Sequence, residues 1–246
     1  MVTLCLDLGN TRSKAGLFLN DAFHQEVMFD PYDLESLKNI LIEFKPQASV
    51  LSSVIHHDSA IELILSEHTL FHKISSLTKL PFTIPIKKRE SIGTDRLALV
   101  AAAVRFCPKK NNLVIALGSC ITYNFVNQYQ EFLGGSISPG MDMRFKSMHH
   151  FTAKLPLIEY TDVNSLIPLI GYDTKTNLLS GVVNGMISEM DGIINKYADK
   201  YGNFNVLLTG GNSAYFAAQL KNKIFADSNF LFKGLYALSE LNNCPA

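Results

Sequence analysis

The sequence has no surplus of charge of either sign: 22 Lys+Arg balance 22 Asp+Glu across 246 residues. A general nucleic-acid or anionic-membrane binder needs cationic excess to work in a phosphate field, so neither class fits. Long apolar runs are also missing. The longest in a helical stretch, Leu97 to Val104, falls far short of the roughly 20 residues that cross a bilayer. The opening MVTLCLDLGN lacks a basic segment and reaches Asp7 almost at once, so a signal peptide is not expected. Cysteine is sparse. Cys5, Cys107, Cys120 and Cys244 form no CxxC pair, and Cys5 and Cys120 lie in apolar runs. That usage fits reduced thiols in a cytoplasmic protein better than a disulfide frame or a zinc site. The histidine pairs His56-His57 and His149-His150 are poor chelates, because adjacent side chains point apart. Tryptophan is absent, no segment is of low complexity, and the GxxxxGK(S/T) phosphate loop does not occur.

What is present is a globular α/β pattern. Hydrophobic residues make up 47% of the chain and charged ones 18%. Val2 to Asp7 reads as a buried strand running into a tight turn, and Lys14 to Leu19 as the returning strand. A third strand is expected at His24 to Phe29, a helix over Pro31 to Phe44 and a strand at Ser49 to Ile55. Helices follow at Ser59 to Glu67 and Ile92 to Phe106. Then the opening plan recurs: LCLDLGNTRSKAGLF and LVIALGSCITYNFV share strand, x-Leu-Gly turn, strand. Helices are read at Pro139 to His150, Gly181 to Tyr201 and Ala214 to Lys221, with a strand at Asn205 to Thr209 before Gly210-Gly211. Phe230 to Gly234 reads as a short strand and Leu235 to Leu241 as a closing helix. The polar stretch Pro108 to Asn112 divides the chain into halves 1–110 and 111–246, with the closing helix able to pack back on the first.

Three strand-end glycine turns suggest a nucleotide held between two halves. In the first, Gly9 lets backbone N–H groups approach a phosphate, Asn10 and Thr11 add donors, and Asp7 is placed to hold a Mg²⁺ water. Lys14 offers charge neutralisation, although Asp and Asn also serve ordinary hairpins. Gly93-Thr94-Asp95-Arg96 opens a helix. An Asp there is either a cap or a base for a substrate hydroxyl, and Arg96 can grip an anion with two parallel bonds. Gly134 to Gly140 precedes a helix carrying Arg144 and Lys146, where backbone donors suit an anion or the glycines serve close packing.

Together VTLCLDLGNTRSK, IGTDRLALVAA, LVIALGSCITYNF, FLGGSISPGMDMRFKSMHHFTAKLP, IGYDTKTNLLSGVVNGM and VLLTGGN resemble the type III pantothenate kinase family, in its Bacteroidetes-like branch, nearly end to end. The resemblance implies two ribonuclease H-like halves of the acetate and sugar kinase/Hsp70/actin type with an inter-domain ATP cleft. It implies a cytoplasmic homodimer that phosphorylates pantothenate with ATP, the first step of coenzyme A synthesis, using Mg²⁺ and a monovalent cation, K⁺ or NH₄⁺. Carried over by motif, Asp7, Leu8, Gly9, Asn10, Thr11, Arg12, Ser13 and Lys14 form the first ATP loop, and Ser119 contacts the nucleotide. Gly93, Thr94, Asp95 and Arg96 hold pantothenate, Asp95 being the general base, and Thr174 matches a substrate contact. Ile86 stands where many members have a pantothenate-contacting Tyr, and Gly210-Gly211 would border the adenosine. One departure concerns the second loop, where Ala116 replaces the family's cation-binding Asp and Asn124 stands where a carboxylate is common. The cation is then unnecessary, weakly bound, or its loss impairs catalysis. The alternative to an active kinase is a weakened homologue acting as a binding or regulatory protein, like the Bvg accessory factors.

Overall fold

A computed structural model of the chain describes residues 1–85, 89–159 and 166–243. Ile86 and Cys244 therefore lie outside the described residues. The chain divides into two compact units, one of Met1–Lys109, Val126–Leu133 and Asn229–Ala246, the other of Lys110–Phe125 and Gly134–Ser228.

The first unit is built on a five-stranded sheet. Its strands are β1 (Val2–Leu8), β2 (Ser13–Leu19), β3 (Ala22–Met28), β4 (Ala48–Ser53) and β5 (Leu70–Lys73), in the order β3-β2-β1-β4-β5. The hairpin strands β2 and β3 are antiparallel, whereas β4 pairs parallel with β1 and β5 parallel with β4. A central strand covered on both faces must be apolar almost throughout, which is why β1 reads VTLCLDL. Alternation sends Leu4, Leu6 and Leu8 to one face, where α1 (Leu34–Phe44) contributes Leu37, Ile40 and Leu41 and α2 (Ala60–His68) contributes Ile61 and Leu65. Asp33 caps α1 by accepting the Glu35 N–H at 3.1 Å, and Pro46 lies just past its end.

Two more helices of this unit, α3 (Thr94–Phe106) and the closing helix, pack against each other. Eight consecutive α3 residues, Leu97 to Val104, are buried, so α3 is apolar all round and its sequence shows no amphipathic stripe. The close approach rests on one glycine: a Cβ on Gly234 would sit 1.9 Å from the Ala98 carbonyl oxygen. Gly234→Ala is expected to cost about 1–3 kcal/mol in a urea denaturation of the full chain, because the obstacle is backbone and cannot rotate away.

The second unit repeats the plan. Its sheet has β6 (Asn111–Leu117), β7 (Cys120–Val126), β8 (Phe132–Pro139), β9 (Phe204–Gly210) and β10 (Phe225–Ala226), ordered β10-β9-β6-β7-β8. Read from the other end, that is the order of the first sheet, so the duplicated strand-turn-strand extends to both complete sheets. The helices are α4 (Met141–His150), α5 (Thr174–Tyr201) and α6 (Ser213–Ala217). α5 begins at a capping box, in which the Asp173 carboxylate accepts the Thr176 N–H at 2.7 Å and the Thr176 hydroxyl accepts the Asp173 N–H at 3.0 Å.

One element departs from the pattern reading. Residues 230–234 are not a strand but the first turns of a single helix, α7 (Phe230–Asn242). Phe230, Phe232 and Gly234 alternate as strand residues do, yet Leu235 to Ser239 are buried as well. A helix covered by α3 on one side and by β1 and β4 on another loses its periodicity, and short apolar runs are then ambiguous. α5 also starts seven residues earlier than the reading from Gly181, because its cap lies in a polar stretch ahead of the apolar run. Among the described residues no helix is long and apolar enough to cross a membrane.

Candidate functional site

The ends of β1 and β4 and the start of α3 converge in the first unit. After β1 the chain turns sharply, with the Gly9 N–H donating to the Arg12 carbonyl at 3.3 Å. Leu8 is fully buried, so it can present only its backbone to a ligand, and Ser13 is nearly so. Asn10, Thr11 and Arg12 are exposed on the turn. With Phe29, Tyr32 and Ile55 this turn lines an open cavity of about 560 Å³. The 29–32 segment of that wall carried no sequence motif. The β4–α2 loop that carries Ile55 is held by His57, whose Nδ1 lies 2.9 Å from Ser53 Oγ and whose Nε2 lies 2.9 Å from Glu62 Oε1.

Asp7 is the one charged residue of β1, and the register places it opposite Lys14 on β2 and Ser52 on β4. Burial lifts its carboxyl from an ordinary value near 3.8 to about 7, and the negative charge of Asp95 adds to the rise. The Ser52 hydroxyl and the Lys14 ammonium oppose it. One oxygen, Oδ1, is buried with no hydrogen-bond partner. A buried, unsatisfied carboxylate oxygen at the end of a strand fits a group brought in with the ligand, and a hard divalent cation is the matching chemistry. Lys14 is engaged by Glu26 of β3 at 2.7 Å.

At the start of α3, Thr94 ties the helix to β4. Its Oγ1 is 3.0 Å from Ser52 Oγ and donates to the Ser53 carbonyl at 3.2 Å. Asp95 folds back over Gly93, where a Cβ would come within 2.5 Å of Asp95 Oδ1. Burial pushes the Asp95 carboxyl up, against N–H groups of Arg96 and Asp95 itself and the Arg96 charge, which hold it down. The Arg96 guanidinium lies 5.7 Å from the centre of the Phe132 ring, and Phe82 meets that ring edge-on. Asp7, Ser52, Thr94, Asp95 and Arg96 thus belong to one neighbourhood. Ser52 was missed by motif reading, and only its register opposite Asp7 reveals it.

The second unit carries Ser119, Gly210 and Thr174. Ser119 sits in the two-residue turn between β6 and β7, and its carbonyl accepts the Gly140 N–H at 3.0 Å. Gly210 has φ +98°, and a Cβ there would lie 2.2 Å from the Leu117 carbonyl oxygen, so only glycine fits at that strand end. Thr174 is exposed at the first position of α5. Ala116 lies opposite Thr209 in the parallel register of β6 and β9, and Thr209 Oγ1 is buried with no hydrogen-bond partner. Asn124 is fully buried and donates to the Val114 carbonyl and to Thr122 Oγ1. Among the described residues no three His, Cys, Asp or Glu side chains gather as a metal cluster.

A family model for type III pantothenate kinase matches residues 3–196. The chain is 40% identical over 243 residues to a type III pantothenate kinase of Christiangramia forsetii, covering 98% of this chain and 99% of that one. It is 37% identical to the Flavobacterium johnsoniae protein of the same name, covering 94% and 95%. Among solved structures, a conserved putative Baf family transcriptional activator from Campylobacter jejuni aligns with a TM-score of 0.61 at 22% identity, over 97% of this chain and 98% of that one. Component A of (R)-2-hydroxyglutaryl-CoA dehydratase from Acidaminococcus fermentans aligns with a TM-score of 0.53 at 11% identity, over 97% and 96%. The structural likenesses bear on the fold, which is that of the acetate and sugar kinase/Hsp70/actin group. Sequence identity extends across almost the whole chain, and the chain belongs to the type III pantothenate kinase family.

Proposed function

We propose a division of labour for the reaction of this enzyme, the ATP-dependent phosphorylation of pantothenate to 4'-phosphopantothenate. Asp95 accepts the proton of the primary hydroxyl as that oxygen attacks the γ-phosphorus of ATP. The bond to the bridging oxygen breaks, and ADP leaves. The observation that carries this role is the Asp95 carboxyl, held at the start of α3 with its proton affinity raised by burial, as a general base near neutral pH requires. Arg96, steadied over Phe132, grips the carboxylate or a hydroxyl of pantothenate. Gly93 and Thr94 shape the same wall, with Thr174 a further substrate contact. The Gly9–Ser13 turn offers backbone donors to the ATP phosphates, and Ser119 a hydroxyl to the nucleotide.

The free Oδ1 of Asp7 supports Mg²⁺ at the first loop. When bound, Mg²⁺ supplies charge neutralisation at the transferring phosphoryl group. Neither Ala116 nor Asn124, whose amide nitrogen donates to Val114 and Thr122, brings an anionic ligand for a monovalent cation. No step is routed through one. A homodimer in the cytoplasm completes the reading, supported by the exposed apolar side chains Leu169, Ile170 and Tyr172 just before α5.

The test is phosphorylation of pantothenate with MgATP while K⁺ and NH₄⁺ are titrated. Turnover of the unaltered chain independent of either cation is expected. Absence of turnover at millimolar ATP overturns the reading in favour of a binding protein. Ala116→Asp is expected to introduce K⁺ dependence, raising kcat/KM in K⁺ over Na⁺ by about tenfold. The new carboxylate would face the unpartnered Thr209 hydroxyl, as Asp7 faces Ser52 in the first sheet.

A further inference from the structure

In sequence the glycine-rich segment before α4 suits either an anion or close packing, and the helix it leads into carries Arg144. Arg144 is not available for an anion. Its Nη2 donates to Glu189 of α5 and, at 3.0 Å, to Ser138 Oγ, while its Nε donates to the Pro139 carbonyl at 2.8 Å. Glu189 accepts in addition from the Tyr123 hydroxyl at 3.1 Å, and burial together with that carboxylate pushes the Tyr123 phenol well above its usual range. Both charged side chains are three-quarters or more buried. Strands β7 and β8 and helices α4 and α5 therefore meet at one ion pair.

The segment that Arg144 grips is also the one that presses on the second turn. The Gly140 N–H donates to the Ser119 carbonyl at 3.0 Å. A Cβ on Gly140 would lie 2.2 Å from the Gly118 carbonyl oxygen and 2.7 Å from that of Ser119. One position back from the strand's middle, Gly135 is equally tight, since a Cβ there would come within 1.8 Å of the Tyr123 carbonyl oxygen. The glycines thus serve close approach of backbone to backbone, and Arg144 fixes the carbonyl just ahead of Gly140.

We propose that Arg144 and Glu189 are positioning residues for the nucleotide, a pair that sets the Gly118–Ser119 turn through the Ser138–Gly140 segment without touching ATP. This rests on the reading that Ser119 contacts the nucleotide. Loss of the pair shifts the turn, and a displacement of about 1 Å at a binding group is enough to weaken it strongly. The effect falls chiefly on ATP, because the pantothenate wall of Gly93–Arg96 belongs to other elements and Thr174 begins α5 15 residues before Glu189.

The experiment uses the full chain with Arg144→Lys, Glu189→Gln and the double variant Arg144→Met/Glu189→Leu. Glu189→Gln leaves the buried Arg144 charge unpaired and can unfold the protein, whereas an apolar pair of similar volume is usually tolerated. MgATP affinity is read by calorimetry without pantothenate, alongside KM for each substrate and the thermal midpoint. The expected result is a folded double variant whose ATP dissociation constant and KM for ATP rise roughly tenfold, with KM for pantothenate within about twofold of the unaltered chain. Arg144→Lys, which keeps the charge but not the fork, is expected to restore affinity only in part. A folded double variant with unaltered ATP affinity overturns the proposal, as does a parallel rise in both KM values. Failure of the kinase reading would show separately, as absent turnover in the unaltered chain.

Discussion

Asp95→Asn is expected to lower turnover by about 10²–10⁴-fold while leaving the binding of MgATP and pantothenate within a few-fold of the unaltered chain. The substitution removes the proton acceptor and little else. Asparagine keeps an oxygen for the N–H groups at the start of α3 that now hold the carboxylate. It fits the pocket over Gly93 without added volume. The enzyme's chemistry is mostly positioning and charge stabilisation, so a residual rate above the uncatalysed reaction should persist. Calorimetry with each ligand and a steady-state assay under the same conditions check both halves of the statement. Retained turnover would take Asp95 out of the base role, and lost binding would make it a structural cap. Arg96 makes the contrast useful. It acts on the substrate's charge and not on its proton, so its loss belongs in KM.

Much of this site could be read from residue order alone, and the reason is local. A strand that must be buried on both faces tolerates a charge only where the chain leaves the sheet, so Asp7 announced itself within VTLCLDLGN. Gly93 to Arg96 stood out in the same way, as a charged first turn before eight buried residues. The duplication was visible because each half opens with the same strand, turn and strand, and both sheets carry it to completion. What stayed hidden depends on partners distant in sequence. Ser52 matters because β4 lies parallel to β1 in a register that sets it against Asp7, and nothing in the SSV run encodes that register. The ion pair of Arg144 is not legible in sequence because its partner, Glu189, lies 45 residues further along the chain. Phe230 to Gly234 reads as a strand because α7 is covered on more than one side, which removes the helical period that identifies a helix.

Opposite Ala116, the Thr209 hydroxyl of β9 is buried without a hydrogen-bond partner. A carboxylate at 116 would stand against that hydroxyl as Asp7 stands against Ser52. Ala116 leaves the hydroxyl unsatisfied but introduces no buried charge of its own.

Asp7→Asn is expected to separate stability from activity more sharply than any other change, raising the first and abolishing most of the second. The Asp7 carboxyl is lifted to about 7, chiefly by burial and then by Asp95. Below about pH 4 the folded and unfolded chains both hold its proton, and well above pH 7 neither does. Between these limits the folded chain holds a proton that the unfolded chain has released, so this group's contribution to stability falls as pH rises from about 4 to about 7. At pH 8 the ionised group is a net cost on the order of 4 kcal/mol, which asparagine removes. Chemical denaturation at pH 8 and pH 5 checks the sign: the variant gains at pH 8, and the gain shrinks toward pH 5. Activity runs the other way. Only the ionised carboxylate can serve a cation through Oδ1, so kcat/KM for MgATP should fall about tenfold for each pH unit below 7. The Asn variant should lose roughly 10²-fold or more, because a neutral amide oxygen replaces the charge. The Asp95 charge is one cause of the raised Asp7 proton affinity. In the residual activity of Asp95→Asn the acid limb should therefore move to lower pH. A limb that stayed in place would mean that a different group sets it. The protein holds an uncomfortable charge at the end of β1, and the ligand that relieves it is the one the reaction requires.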